Sequence, residues 1–178
     1  MSQEIKEGEI PNQLTFTFPD NWDICKFDDT KYYREKIEKL DGIKSVDIIA
    51  NDGGALQFIE VKDFRHHRIE NKERQKSGEL TIEVSQKFVN TLSALIGANR
   101  LNLSDFAPYY TPLLSSLDQK ITVILFIERD EREHTLQRNK ITLAHLQQKL
   151  KKLLIAYNIQ CKVYDRDKLP QQVEWTVQ

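Results

Sequence analysis

The chain switches between two hydrophobic periods. Leu14-Thr15-Phe16-Thr17-Phe18 puts an apolar side chain at every second position, the pattern of a strand with one buried face, and Pro19-Asp20 ends it. Asp28-Asp29-Thr30 then offers capping oxygens. In residues 31–40, Tyr33, Ile37 and Leu40 recur at spacings of four and three, which predicts a helix closed by Asp41-Gly42. Residues 43–50 (IKSVDIIA) and 56–62 (LQFIEVK) read as strands. Between them, Asn51-Asp52-Gly53-Gly54 is turn chemistry, so the two form a hairpin. Residues 64–77 are polar and basic and predict a loop. Val84, Phe88, Leu92, Leu95 and Ile96 give 80–98 a helical period.

Further on, Pro108 and Pro112 bracket what reads as an aromatic loop holding Tyr109 and Tyr110. Residues 120–127 are almost continuously apolar, as in a strand buried on both faces. Residues 141–157 form an amphipathic helix, and 159–164 (IQCKVY) alternate as a last strand. This order predicts the α/β class, with a mixed central β-sheet flanked by helices. Residues 1–27 read as an acidic N-terminal segment with a short strand, and 28–178 as one domain.

Composition narrows the function classes. Of 178 residues, 39 % are hydrophobic and 30 % charged, enough for a core and unlike a disordered chain. The net charge of −1 excludes a uniformly basic coat but leaves room for local basic faces. The N-terminal 30 residues are acidic, whereas 62–76 and 134–164 are basic. The polar start and the absence of a membrane-length apolar run lead us to expect a cytoplasmic protein with no membrane partner. Cys25 and Cys161 then read as packing residues. Glycine-rich phosphate loops and the short motifs of zinc proteases, serine hydrolases and dithiol redox proteins are missing.

The chemistry concentrates in the hairpin. Strand residues alternate faces, so Glu60 and Lys62 point one way while Ile59 and Val61 point the other. A turn centred between Gly53 and Gly54 brings Asp47 opposite Glu60. Two carboxylates and the Val61 carbonyl form an oxygen-only set suited to Mg²⁺ or Mn²⁺, with Lys62 beside it. A structural salt bridge also accounts for these charges on a central strand.

At these residues the chain resembles the PD-(D/E)xK nuclease superfamily. The likeness rests on Asp47, the twelve residues after it, and Glu60-Val61-Lys62, with a helix before and a helix after. Val46 stands where many members have proline. The resemblance implies a restriction-endonuclease-like fold and metal-dependent hydrolysis of phosphodiester bonds in DNA, with RNA left open. It makes Asp47 and Glu60 metal ligands and Lys62 the catalytic lysine. It adds an acid from the first helix, Glu38 in preference to Glu35, and a polar residue from the second, Gln86 or Lys87. Small nuclease domains of this kind often pair, so a homodimer is expected.

Arg65, His66, His67, Arg68, Lys72, Arg74 and Lys76 follow directly and are placed to grip phosphates, or form a solvated loop. Tyr109 and Tyr110 are candidates for base stacking or for packing. The alternative function is a nuclease-like domain without turnover, acting as a binding or assembly module for nucleic acid or protein.

Overall fold

The computed structural model describes residues 2–65, 78–115, 118–129 and 142–178. The mixed sheet is present. Its five strands run in the order β3-β4-β5-β6-β7: Asp23–Lys26, Ile48–Asn51, Ala55–Asp63, Lys120–Glu128 and Gln160–Tyr164. β4 is antiparallel to both β3 and β5, and β5, β6 and β7 are parallel. The 1–27 segment holds more than the one strand expected. β1 (Ser2–Glu7) and β2 (Leu14–Pro19) make a hairpin that β8 (Thr176–Val177) extends into a second, three-stranded sheet, while β3 supplies one edge of the main sheet.

Alternation along the central strands divides the core in two. Ile49, Phe58, Val123 and Leu125 face the helices α1 (Glu79–Arg100), α2 (Ala107–Ser115) and α3 (Leu143–Leu153). Ile48, Ile59, Ile124 and Phe126 face the small sheet, where Phe16, Phe18, Trp22 and Trp175 complete a second cluster. Among the described residues no helix is long and apolar enough to cross a membrane. Cys25 and Cys161 are free thiols packed against the helical layer.

Three segments differ from the sequence expectation. Of residues 43–50, only the last three belong to a strand. The Asp47 carbonyl accepts from Phe27 N–H (2.8 Å), one position beyond the Lys26–Ile48 pair, and Val46 N–H turns away from the sheet to donate to Thr91 Oγ1 (3.0 Å). The first helix shrinks largely to a π turn, Tyr33–Ile37, with Glu38 N–H bonded back to the Tyr33 carbonyl at 2.9 Å. The Pro-bracketed loop is α2. Pro108 sits in its first turn, where a missing N–H costs nothing. Pro112 has no N–H for the Pro108 carbonyl four residues back, and the Asn51 side chain donates to that carbonyl instead, at 2.8 Å. Tyr109 and Tyr110 are buried in the helical core, so packing, not stacking on bases, accounts for them.

Candidate active site

The hairpin register sets the site. Ile48 pairs with Ile59 and Ile49 with Phe58, which continues to Asp47 opposite Glu60. Because β4 begins at Ile48, β5 has no ladder partner on that side beyond Ile59. The Val61 N–H donates instead to Asp47 Oδ2 at 2.7 Å. The Val61 carbonyl leaves the strand on the same side as its N–H. Asp47 thus closes the open end of the ladder with its side chain.

Glu60 is only 1 % exposed. Its Oε1 accepts from two ammonium groups, Lys62 at 2.8 Å and Lys87 at 2.6 Å. Its Oε2 is buried and accepts no hydrogen bond from the described residues. Lys87 also lies 3.5 Å from Asp47 Oδ1, and Lys62 is held on its other side by Glu83 at 2.9 Å. A cavity of about 220 Å³ opens here, with Glu7, Asp47, Glu60, Lys62 and Lys87 in its walls.

Burial dominates the electrostatics. Together with the Asp47 charge it pushes Glu60 up to about 7 against the pull of both lysines. Burial is the largest single influence on the lysines and disfavours their charge, but the carboxylates around them, Glu60 foremost with Glu83 and, for Lys87, Asp47, together outweigh it, and both Lys62 and Lys87 are held above their ordinary value. Each is therefore an ammonium at neutral pH, a donor of hydrogen bonds and not a base.

Two further acids reach this charge cluster, and sequence reasoning missed both as site residues. Burial and Asp47 raise Glu7 to about 7, although Lys26 lies 3.1 Å away. The same causes raise Asp28 to about 6, and its Oδ1 is buried with no partner among the described residues. Glu7 arrives on β1, a strand the sequence reading did not find. Asp28 was grouped with the helix cap, but Thr30 alone does that work, accepting from Tyr33 N–H at 3.1 Å. Glu83 lies one helical turn before Lys87, a spacing that could have found it.

The other expected residues fall differently. Glu38 is exposed on the wall of a second cavity, about 370 Å³, which it shares with Asp28, Asp47 and Lys87. The acid beside Asp47 is Asp28, whose carboxyl the Asp47 charge helps to raise, while Glu38 is exposed at the rim. Gln86 is exposed, and Lys87, one residue further round α1, is the residue that touches both carboxylates. Arg65 is folded back rather than presented to a ligand. It donates to Asp63 through Nε (2.9 Å) and through the guanidinium (2.7 Å), and to the Asn12 carbonyl. His66, His67, Arg68, Lys72, Arg74 and Lys76 lie outside the described residues.

Among the described residues no group of three or more His, Cys, Asp and Glu side chains is arranged to hold a metal ion. The donors at hand are Asp47, Glu60 with its unpartnered oxygen, and the Val61 carbonyl. They are hard oxygen ligands, and Mg²⁺ is commonly held by one or two carboxylates with water and substrate completing the shell. Comparison with protein-family models, curated proteins and solved structures finds no match for this chain.

Proposed function

We propose that this chain is a metal-dependent nuclease of restriction-endonuclease-like fold that hydrolyses phosphodiester bonds in DNA. The observation that carries this reading is the convergence at the open end of β5. Asp47 and Glu60 face each other, Lys62 touches Glu60, and one Glu60 oxygen is buried without a partner. Asp47, Glu60 and the Val61 carbonyl would hold Mg²⁺ or Mn²⁺. When bound, such an ion polarises a phosphoryl oxygen and lowers the pKa of water.

The chain's own residues supply the rest. Lys62, cationic and fixed between Glu60 and Glu83, is placed to hydrogen-bond phosphate oxygens as negative charge develops on them. Lys87 offsets the repulsion between Asp47 and Glu60. The hydrophobic layer under β5 keeps these charges in a medium where they act strongly.

The test is incubation of the full chain with plasmid, single-stranded DNA and RNA in Mg²⁺ or Mn²⁺. Cleavage of DNA is expected, with a loss of at least about 10²-fold in Lys62→Met and in Asp47→Asn. No cleavage of any substrate, or full activity in Lys62→Met, overturns the reading.

One observation favours the second reading, a nuclease-like module without turnover. Lys87 Nζ already contacts both carboxylates and supplies a positive charge between them. Such a module would retain its fold and its nucleic-acid or protein partner in Asp47→Asn and show no Mn²⁺ binding by calorimetry.

A further inference from the structure

The parallel strands β5, β6 and β7 end alike, each running through a carboxylate to an arginine. The pairs are Asp63 and Arg65, Glu128 and Arg129, and Asp165 and Arg166. Two of these arginines are engaged inside the molecule. Arg65 holds Asp63 and the Asn12 carbonyl, and Arg166 donates to Glu128 at 3.3 Å. Arg129 differs. It is half-buried, and its Nε and Nη2 are buried with no hydrogen-bond partner among the described residues. The neighbouring carboxylates are already taken. Asp63 pairs with Arg65, Glu128 with Arg166, and Asp165 accepts from Lys168 N–H at 2.9 Å. Guanidinium donors that lose water and gain no acceptor are costly, and more so because the group is charged. A purely structural arginine would show a pairing of the kind its two neighbours have. The arrangement suits a residue whose partner is an anion from outside the chain.

The register fixes where that anion would lie. Leu125 pairs with Glu60 and Ile127 with Lys62, and both belong to the helix-facing core. Arg129 is the next residue in that alternation, so it continues the face that bears Glu60 and Lys62. Asp63 and Glu128, which pair with each other, belong to the opposite face. At the strand ends the two faces therefore differ. One carries arginines neutralised by carboxylates, the other carries Lys62 and Arg129. One strand step across and two residues along put the Lys62 and Arg129 backbones about 8 Å apart, within the joint reach of two long side chains.

We propose that Arg129 is a phosphate-binding residue of the candidate site, gripping the nucleic-acid backbone beside the phosphodiester that Lys62 faces. The inference rests on reading that site as one for phosphodiesters, and it adds the residue that holds the strand there. A guanidinium offers phosphate oxygens two donors in a fixed plane, which an ammonium does not. Arg129 grips the backbone before and during the reaction alike, so its effect falls on affinity and not on turnover.

The experiment is fluorescence anisotropy of labelled single-stranded and duplex DNA with the full chain in EDTA, over a series of salt concentrations. The wild type is expected to bind, and Arg129→Met to bind about 10-fold or more weakly. Its slope of log affinity against log salt should be shallower by about 0.7–0.9, the loss of one phosphate contact. Arg129→Lys should keep the slope but recover only part of the affinity. The ligand-free Tm of Arg129→Met should equal or exceed that of the wild type, because an unpartnered buried charge has been removed. No DNA binding by the wild type overturns the proposal. So does wild-type affinity and slope in Arg129→Met, or a Tm several degrees lower in that variant, which would mark a structural residue. Cleavage by the wild type with unchanged binding in Arg129→Met removes this inference and leaves the nuclease. Weakened binding in Arg129→Met, in a chain that cuts no substrate, keeps this inference and removes the nuclease.

Discussion

Glu60 accepts two ammonium groups on one oxygen and none on the other, so its surroundings are rich in charge yet leave an acceptor vacant. Lys87 is the more telling of the two partners because it also approaches Asp47. Replacing it by methionine keeps the stem's packing and removes the ammonium, leaving the two carboxylates to repel. Lys87→Met is expected to lower stability in metal-free buffer by about 3 kcal/mol, measured by urea unfolding. If the pair is a cation site, Mn²⁺ should then raise the Tm of Lys87→Met by more than that of the wild type, since the ion replaces the lost charge. Equal or absent shifts would show that Lys87 and a metal do not compete for one place. Glu7 gives a separate test by pH. Its carboxyl is raised to about 7 from an ordinary value of 4.5, burial being the main cause. The folded state therefore holds a proton that the unfolded state has lost between those limits. That contribution to stability is fully present below 4.5 and is lost as pH rises through about 7. Thermal unfolding at pH 5 and pH 8 in matched salt should show Glu7→Gln gaining on the wild type at the higher pH.

At the level of elements, one asparagine joins the hairpin to the helical layer. Asn51 Oδ1 accepts from Gly53 N–H at 3.0 Å and its Nδ2 donates to the Pro108 carbonyl. The second bond repairs the vacancy that Pro112 leaves inside α2. Asn51→Asp keeps the first bond and abolishes the second, so it isolates the helix repair from the turn. A loss of about 1–3 kcal/mol is expected from the orphaned carbonyl, with Asn51→Ala costing more because both bonds go. The same residues show what was readable from sequence. The hairpin and its register followed from Asn51-Asp52-Gly53-Gly54 and the alternation of β5, and that alone brought Asp47 to Glu60. The helix at α2 did not follow, because two prolines signal a break unless another element satisfies the freed carbonyl. Likewise the pattern puts Asp47 inside a strand, but Val46 N–H bonds to Thr91, distant in sequence, and the Asp47 side chain takes the Val61 N–H where the β4–β5 ladder stops. Glu7 needed a strand whose own pattern, Ser2-Gln3-Glu4-Ile5-Lys6-Glu7, carries a single apolar residue.

For the molecule as a whole, the two core clusters lie on opposite faces of one sheet, and the candidate site draws on both. Glu60 and Lys62 project from β5 on the helical side, while Glu7 comes from the small sheet. If the layers came apart independently, the charge cluster would be lost with whichever layer is weaker. The two layers are also linked by shared strands: Ile59 packs on one side of β5 and Phe58 on the other. Both tryptophans of the chain, Trp22 and Trp175, belong to the small-sheet cluster, and Trp175 further donates to Gln57 on β5 at 3.2 Å. Tryptophan fluorescence therefore reports one layer, whereas far-UV circular dichroism is dominated by the helices of the other. Coincident guanidinium transitions by the two probes are expected, as for a single cooperative unit. Trp175→Ala removes a fully buried ring that contacts Phe16, Phe18 and Phe126, at a cost of about 3–5 kcal/mol. If the sheet couples the layers, that loss should shift the circular dichroism transition as far as the fluorescence transition of Trp22. A shift confined to fluorescence would mean that the small sheet can detach, taking Glu7 with it and leaving Asp47, Glu60 and the lysines on the helical layer alone.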